Sequence, residues 1–273
     1  MTAVATRSTE RDQLLSPRPQ LVLAAFLMLF VELALIRWLG ANVLYLAYFS
    51  NVVLLGSFLG IGIGFLWASR QRRPLFTFAP ATLAALVVVV QVLDVRVGIA
   101  GGNLIFFGLD TSGPPRWVVL PAVFVAVATV MACLGNGVAN AFGQLRNLDA
   151  YQLDLVGSLL GIAGFTLLAF LRAEPIVWGV VAAIGLTVAS WPLRRSGLLA
   201  IAPLAVLLAF LGAESARSDT TWTPYYEVHT IPIGDTGGVV AEVNGIPTWL
   251  QISAVGNPLY ETMYERIAAP ARA

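Results

Sequence analysis

The chain has 273 residues, of which 58% are hydrophobic and 11% are charged, and its mean hydropathy is +0.81. A soluble globular domain is about one-quarter charged, so much of this chain faces something other than water. The net charge of +1 gives no basis for nucleic-acid binding, and the single cysteine, Cys133, excludes an intrachain disulfide. Because His229 is also the only histidine, we expect neither a cysteine-based nor a histidine-rich metal centre.

Long apolar segments dominate the part of the chain that follows a polar, arginine-bearing leader over 1–19. At a rise of about 1.5 Å per residue, each segment is long enough to cross a hydrocarbon core of about 30 Å. We therefore predict an all-α, multi-pass membrane helix bundle of about seven spans over 20–213, embedded in the lipid bilayer of the cell membrane. A shorter apolar stretch, 103–109, is predicted to re-enter the membrane or lie at its surface. The seven predicted spans are 20–36, 42–68, 75–93, 117–138, 153–171, 175–192 and 197–213.

The arginines set the expected orientation, because loops on the cytoplasmic side carry an excess of positive charge. With the N-terminus in the cytoplasm, nine arginines fall on the inner side and four on the outer side. Seven crossings from an inside start would leave the C-terminal tail outside. The inner set is Arg7, Arg11, Arg18, Arg70, Arg72, Arg73, Arg146, Arg194 and Arg195, and the outer set is Arg37, Arg96, Arg116 and Arg172.

The tail over 214–273 has the composition of a small β structure. TPYYEVHTIPI alternates like a strand, GDTGG follows as a turn, and VVAEV and IPTWLQI are two further β-prone runs. The pair Asn244-Gly245 between these two runs predicts a type I′ hairpin turn. Asn257-Pro258 then resembles a helix N-cap followed by proline at the first helical position. The tail is therefore predicted to be a three-stranded meander followed by a helix.

Three ionisable side chains lie in or beside the predicted spans. Glu32 is inside the first span, where inserting a carboxylate costs roughly 2.5–3.5 kcal/mol. Such a residue usually has a hydrogen-bonding or ion-pair partner, or it takes part in function. Arg37, five residues later, can extend to the interface but is poorly spaced for an ion pair within the helix. A structural hydrogen bond or ion pair and a substrate or proton site are both open for Glu32. Asp154 begins the fifth span, where an acid suits the helix dipole.

Glycines spaced by four residues lie on one face of two predicted spans. Gly56, Gly60 and Gly64 lie in the second span, and Gly157 and Gly161 lie in the fifth. Such faces let helix backbones approach closely, so we predict helix packing there. The segments GSFLGI and GSLLGI match each other three spans apart, so an inverted repeat and convergence on one packing motif are both open.

The order of these features resembles the membrane-anchored spermidine synthase-like proteins. The features are the Glu-x-x-x-x-Arg pattern of the first span, the Gly-rich second span, AYQLDLVGSLLG, WTPYYEVHTIP and the VNG turn. The resemblance implies aminopropyl transfer from decarboxylated S-adenosylmethionine to an amine, with the tail corresponding to the β-hairpin domain that precedes a Rossmann-like catalytic domain. It also implies substrate-binding roles for Gln251, Glu261 and Tyr264. Gln251 comes three residues late, and Tyr260 and Glu265 replace the Asp and His of the family's helix pattern.

The Gly-rich nucleotide loop and the paired catalytic acids of that family have no counterpart in the 273 residues, so no catalytic residue is assigned. We expect the chain to be the non-catalytic N-terminal portion, with a separate Rossmann-like chain or a second copy as its partner. A small-solute transporter and a membrane scaffold are the alternatives. Because decarboxylated S-adenosylmethionine requires a cytoplasmic tail, we predict one, in conflict with seven crossings from an inside start.

Overall fold

The structure is a computed structural model that describes residues 16–49, 51–70, 75–93, 96–97, 111–112, 114–190, 194–233 and 238–251. Its helices are α1 Pro17–Asn42, α2 Leu44–Tyr48, α3 Asn51–Arg70, α4 Ala79–Leu93, α5 Arg116–Phe142, α6 Asn147–Phe170, α7 Pro175–Ser190 and α8 Arg194–Ser215. A 3-10 turn, Leu75–Phe78, leads into α4. The strands are β1 Arg96–Val97, β2 Thr111–Ser112, β3 Thr220–Trp222, β4 Glu227–Ile233, β5 Gly238–Val243 and β6 Ile246–Gln251.

Five helical stretches in the described part of the chain are long and apolar enough to cross a membrane. Two further apolar helices are shorter, Pro175–Ser190 and Ile201–Ser215. The predicted class, a mostly helical protein with several membrane-length helices and a small sheet, is therefore confirmed. The count of seven spans stays a prediction. The five long stretches are Pro17–Asn42, Asn51–Arg70, Leu75–Val92, Trp117–Phe142 and Asn147–Phe170.

The boundary between the first two predicted spans was placed wrongly. Helix α1 continues to Asn42, and Val43 then takes an extended backbone conformation before the short helix α2. Val43 and Leu46 are buried in the core, so this break is held by tertiary packing. Gly40 lies three residues before Val43 but inside the last turn of α1, so the glycine does not end the helix, and hydropathy gives no sign of where the helix ends.

The glycine faces lie at the closest helix contacts. A Cβ atom on Gly60 would overlap the backbone of Ala128 on α5, and one on Gly161 would overlap the carbonyl oxygen of Phe26 on α1. Helix α3 thus packs parallel to α5, and α6 packs parallel to α1. The two matching segments therefore make matching contacts, which is the arrangement that an inverted repeat produces.

The opposite faces of α3 and α6 carry large apolar side chains without protein neighbours. In the apolar window of α6 only 22% of the residues are buried, although its mean hydropathy is 1.9. Leu159, Leu160 and Leu167 are more than half exposed. Such a surface is unfavourable in water and favourable in a hydrocarbon core, so these faces suit contact with lipid.

The tail forms an antiparallel sheet of four strands in the order β3-β4-β5-β6. Asn244 and Gly245, at φ 51° and 73°, form the predicted tight turn between β5 and β6. The sequence missed β3, because three residues directly after a helix give too short an alternation to detect. The GDTGG turn, the helix after Asn257-Pro258 and the 103–109 stretch lie outside the described residues.

The sheet and the start of α1 lie at opposite ends of the bundle. Arg18, at the start of α1, is 3.7 Å from Asp149 near the start of α6. Arg37, near the end of α1, contacts the turn between β3 and β4. These two arginines are 19 residues apart on one helix, or roughly 28 Å. A cytoplasmic leader and a cytoplasmic sheet are therefore incompatible predictions for a bundle that crosses the membrane.

Candidate functional site

The guanidinium group of Arg37 joins the sheet to the helix bundle. Its two terminal nitrogens donate to the carbonyl oxygens of Thr223 and Pro224, the latter at 3.0 Å. Its Cζ atom lies 5.1 Å from the ring centre of Trp178 on α7 and 5.4 Å from that of Trp222 on β3. The two indole rings contact each other edge to face, with their centres 5.0 Å apart, and the guanidinium lies beside this pair. A cation over an indole ring is attracted by the negative charge of the ring face. Arg37 therefore fixes the position of the β3–β4 turn.

A buried carboxylate lies at the same end of the bundle. Glu214, on the last turn of α8, accepts hydrogen bonds from Nε1 of Trp38 at 2.9 Å, Nδ2 of Asn42 at 3.1 Å and Nε2 of Gln91 at 2.9 Å. The donors come from α1 and α4, so one carboxylate ties three helices together directly beneath the sheet. Buried charged groups are tolerated where hydrogen bonds replace their hydration in this way.

An apolar crevice lies next to this junction, between α1, α4, α7 and α8. Its volume is about 40 Å³, and its walls include Trp38, Leu83, Trp178, Leu207 and Leu211. That volume admits a few water-sized molecules, and its apolar walls offer little to water. No charged side chain lines the crevice, so it offers no counter-charge to a cationic polyamine.

A histidine lies between two carboxylates on the sheet. Nε2 of His229 is 2.7 Å from Asp219, and Nδ1 is 3.6 Å from Glu242, the cross-strand neighbour of His229. The hydrogen bond with His229 lowers the pKa of the exposed Asp219 carboxyl below its usual value. The cluster connects the segment after α8 to β4 and β5.

Glu32 lies in the middle third of α1 and is 5% exposed. It faces Ser57 of α3, whose fully buried hydroxyl group has no hydrogen-bond partner within 3.5 Å. No ion pair joins Glu32 to Arg37, because the Arg37 side chain is directed at the sheet. Of the alternatives left open by the sequence, the ion pair within the helix is therefore not formed.

The sequence predicted that Asp154 begins its helix, but the helix begins earlier. Helix α6 starts at Asn147, so Asp149 occupies the first turn and Asp154 lies in the third. The Oδ1 atom of Asp154 is buried without a hydrogen-bond partner. The leader-side end of the bundle is instead organised by Asn136, whose side-chain oxygen accepts from the backbone N–H of Leu75 at 2.8 Å and from Asn140 at 2.9 Å.

The predicted substrate-binding residues are not brought together in the described part of the chain. Gln251 ends β6, where its backbone pairs with Val239 of β5. Glu261 and Tyr264 lie outside the described residues, so this set stays a prediction. Among the residues that the structure describes, no group of three or more histidine, cysteine, aspartate or glutamate side chains could hold a metal ion.

Sequence reasoning missed Glu214, Trp178 and the His229 cluster. Glu214 closes an apolar run and looks like an ordinary helix end, while its three donors are 123 to 176 residues away in sequence. A pairing of this kind leaves no local pattern. The pairing of His229 with Glu242 depends on the register of β4 and β5, which the Asn244-Gly245 turn between β5 and β6 does not set.

Comparison with protein-family models, with curated proteins and with solved structures finds no match to this chain.

Proposed function

We propose that the helix bundle is a membrane anchor that holds the four-stranded sheet in one fixed position at a membrane face. The observation that carries this proposal is the Arg37 junction, in which one side chain binds two carbonyl oxygens of the β3–β4 turn and contacts both Trp178 and Trp222. A sheet on a flexible linker would have no such contacts. The sheet is therefore a platform with a defined orientation, suited to receiving a further domain or chain.

More specifically, we propose that the sheet is the N-terminal β domain of a spermidine synthase-like enzyme. The resemblance of the tail supports this form, together with the four-stranded meander and its Asn244-Gly245 turn. In the reaction the amine nitrogen attacks the aminopropyl carbon next to the sulfonium, methylthioadenosine leaves, and one proton is released. A Rossmann-like partner would supply the nucleoside site and the carboxylate that receives the proton.

The test is an activity assay in oriented vesicles. The chain is co-expressed with the product of the reading frame that follows it, and vesicles of both orientations receive decarboxylated S-adenosylmethionine and putrescine. We expect release of methylthioadenosine in inside-out vesicles. Membranes lacking the chain, with the partner still expressed, are the control. If neither vesicle orientation releases methylthioadenosine above this control, the enzyme form of the proposal is wrong.

Orientation is the main physical obstacle to the enzyme form. The nine-to-four arginine count favours a cytoplasmic leader, and the sheet lies at the other end of the bundle. On that orientation the sheet would lie outside the cytoplasm, without access to decarboxylated S-adenosylmethionine. The anchor form of the proposal does not depend on which side of the membrane the sheet lies, because the Arg37 contacts with the sheet are the same in both orientations.

A transporter is the second candidate, favoured by the buried Glu32 and by the matching contacts of the two glycine-bearing helices. Inverted repeats with a midplane polar residue are common in secondary transporters. Polyamine uptake into proteoliposomes that contain the purified chain would support this candidate over the anchor.

A further inference from the structure

Two carboxyl side chains buried in the apolar helices have surroundings of opposite kinds. Glu214 is 4% exposed and receives N–H hydrogen bonds from Trp38, Asn42 and Gln91. Glu32 is 5% exposed and receives no N–H hydrogen bond from any residue that the structure describes. The first environment stabilises an ionised carboxylate with three N–H donors, whereas the second offers a negative charge only the Ser57 hydroxyl.

Among the side chains that the structure describes, no cation pairs with Glu32. Arg37, on the same helix, is directed at the sheet, and the described residues form no ion pair with Glu32. The arginines on the packed elements all stand at helix ends, while α4 and α7 have no titratable group. The titratable groups on these elements are Tyr45 and Tyr48 on α2, Arg70 at the end of α3, Arg116 and Cys133 on α5, Asp149, Tyr151 and Asp154 on α6, and Arg194, Arg195 and Glu214 on α8.

The polar group that Glu32 faces is the hydroxyl of Ser57. That hydroxyl is fully buried and lacks a hydrogen-bond partner within 3.5 Å, which is uncommon for a buried polar group. A carboxylic acid has an O–H that it can donate to the Ser57 oxygen after a small side-chain rotation. The Ser57 hydroxyl can hydrogen-bond either form of Glu32, because it can also donate its O–H to a carboxylate. The preference for the neutral acid therefore comes from the burial of Glu32 without an N–H donor or a cation beside it.

We propose that Glu32 is a proton-binding site inside the membrane, where its carboxyl group is held as the neutral acid opposite the Ser57 hydroxyl. This inference does not rest on the proposed anchor function, and it goes beyond it by assigning a ligand, the proton, to the bundle itself. It also predicts a chemical reactivity, since a buried carboxylic acid can react with an apolar carbodiimide. The acid proton passes to a carbodiimide nitrogen, the carboxyl oxygen bonds to the central carbon, and the adduct rearranges to a stable N-acylurea with no leaving group.

The test treats the protein in its membrane with dicyclohexylcarbodiimide and maps the adduct by peptide mass spectrometry. We expect several-fold more adduct on Glu32 than on Glu214, because only the acid form reacts and the three N–H donors around Glu214 favour its carboxylate. E32Q, which keeps the size of the side chain, should remove this adduct. E214Q is the matched control, and in that variant the Glu32 adduct should remain.

Two outcomes would overturn the proposal. One is that dicyclohexylcarbodiimide leaves Glu32 of the wild-type protein unmodified. The positive control is the exposed Glu174, which a water-soluble carbodiimide should label in the same preparation. The other is equal labelling of Glu32 and Glu214, because access to the apolar reagent alone would then decide reactivity. Neither outcome depends on a variant that folds, since both are measured on the wild-type chain.

Discussion

At the scale of single residues, Arg37 carries more of the architecture than its position in the sequence suggests. An arginine at the end of a membrane helix is commonly an interfacial anchor. Here the same side chain binds the carbonyl oxygens of Thr223 and Pro224 and contacts two indole rings. The planar guanidinium is required for both interactions at once, and lysine cannot supply it.

Arg37→Lys should therefore loosen the sheet while the bundle stays folded. Each cation–π contact contributes about 0.5–2 kcal/mol, and the second carbonyl bond is also lost. We expect faster hydrogen exchange in β3 and β4, measured by mass spectrometry, with unchanged exchange in α3 and α5. Arg70→Lys, an exposed site at the other end of the bundle, is the matched control. Unaltered exchange in β3 for R37K would show that the junction is not held by this side chain.

Asp219 provides a residue-scale prediction about pH. Its folded pKa is lowered by the hydrogen bond with His229, so this contact stabilises the fold above the unfolded pKa of about 3.9 and is lost as the pH falls through the lower folded value. Asp219→Asn should lower the thermal midpoint slightly at pH 6, as expected for an exposed pair. At pH 3 the difference between variant and wild type should shrink. A difference that stays constant between these two pH values would contradict the assignment.

At the scale of elements, the glycine faces permit a matched pair of substitutions in one helix. A Cβ on Gly60 would overlap the Ala128 backbone, whereas one on Gly62 would meet nothing within 4 Å. Both substitutions gain the same helix propensity, roughly 1 kcal/mol in favour of alanine. Gly60→Ala should still destabilise the bundle by about 1–3 kcal/mol because the backbones must separate.

Thermal unfolding in detergent measures this difference. Gly62→Ala should leave the midpoint unchanged or slightly raised, and Gly60→Ala should lower it by several degrees. Equal midpoints for the two variants would mean that α3 and α5 do not approach each other as closely as the structure has them.

Sequence reasoning predicted the elements whose cause is local and missed those whose cause is distant. The Asn244-Gly245 turn was predictable because a type I′ turn restricts its two residues through their own backbone angles. The spans followed from uninterrupted apolar runs. The break at Val43 and the Glu214 cluster depend on residues far away in the chain, so no window along the sequence contains them.

At the scale of the whole molecule, the lone cysteine permits a clean test of topology. Cys133 is buried, so a C133A background should fold and carry no reactive thiol. New cysteines can then be placed at Ser16, exposed beside the start of α1, and at Tyr225, which is 69% exposed in the β3–β4 turn. These two sites probe the two ends of the bundle.

A membrane-impermeant maleimide applied to intact cells should label one of these sites and spare the other until the membrane is permeabilised. The arginine distribution predicts that Tyr225→Cys is labelled in intact cells and Ser16→Cys is protected. Aminopropyl transfer at the sheet requires the reverse, since its co-substrate is cytoplasmic. Equal labelling of both sites in intact cells would contradict a bundle that crosses the membrane with the sheet and the leader at opposite ends. The same two variants therefore test the fold. They also distinguish a cytoplasmic sheet, which the enzyme form of the proposal requires, from a sheet that faces away from the cytoplasm.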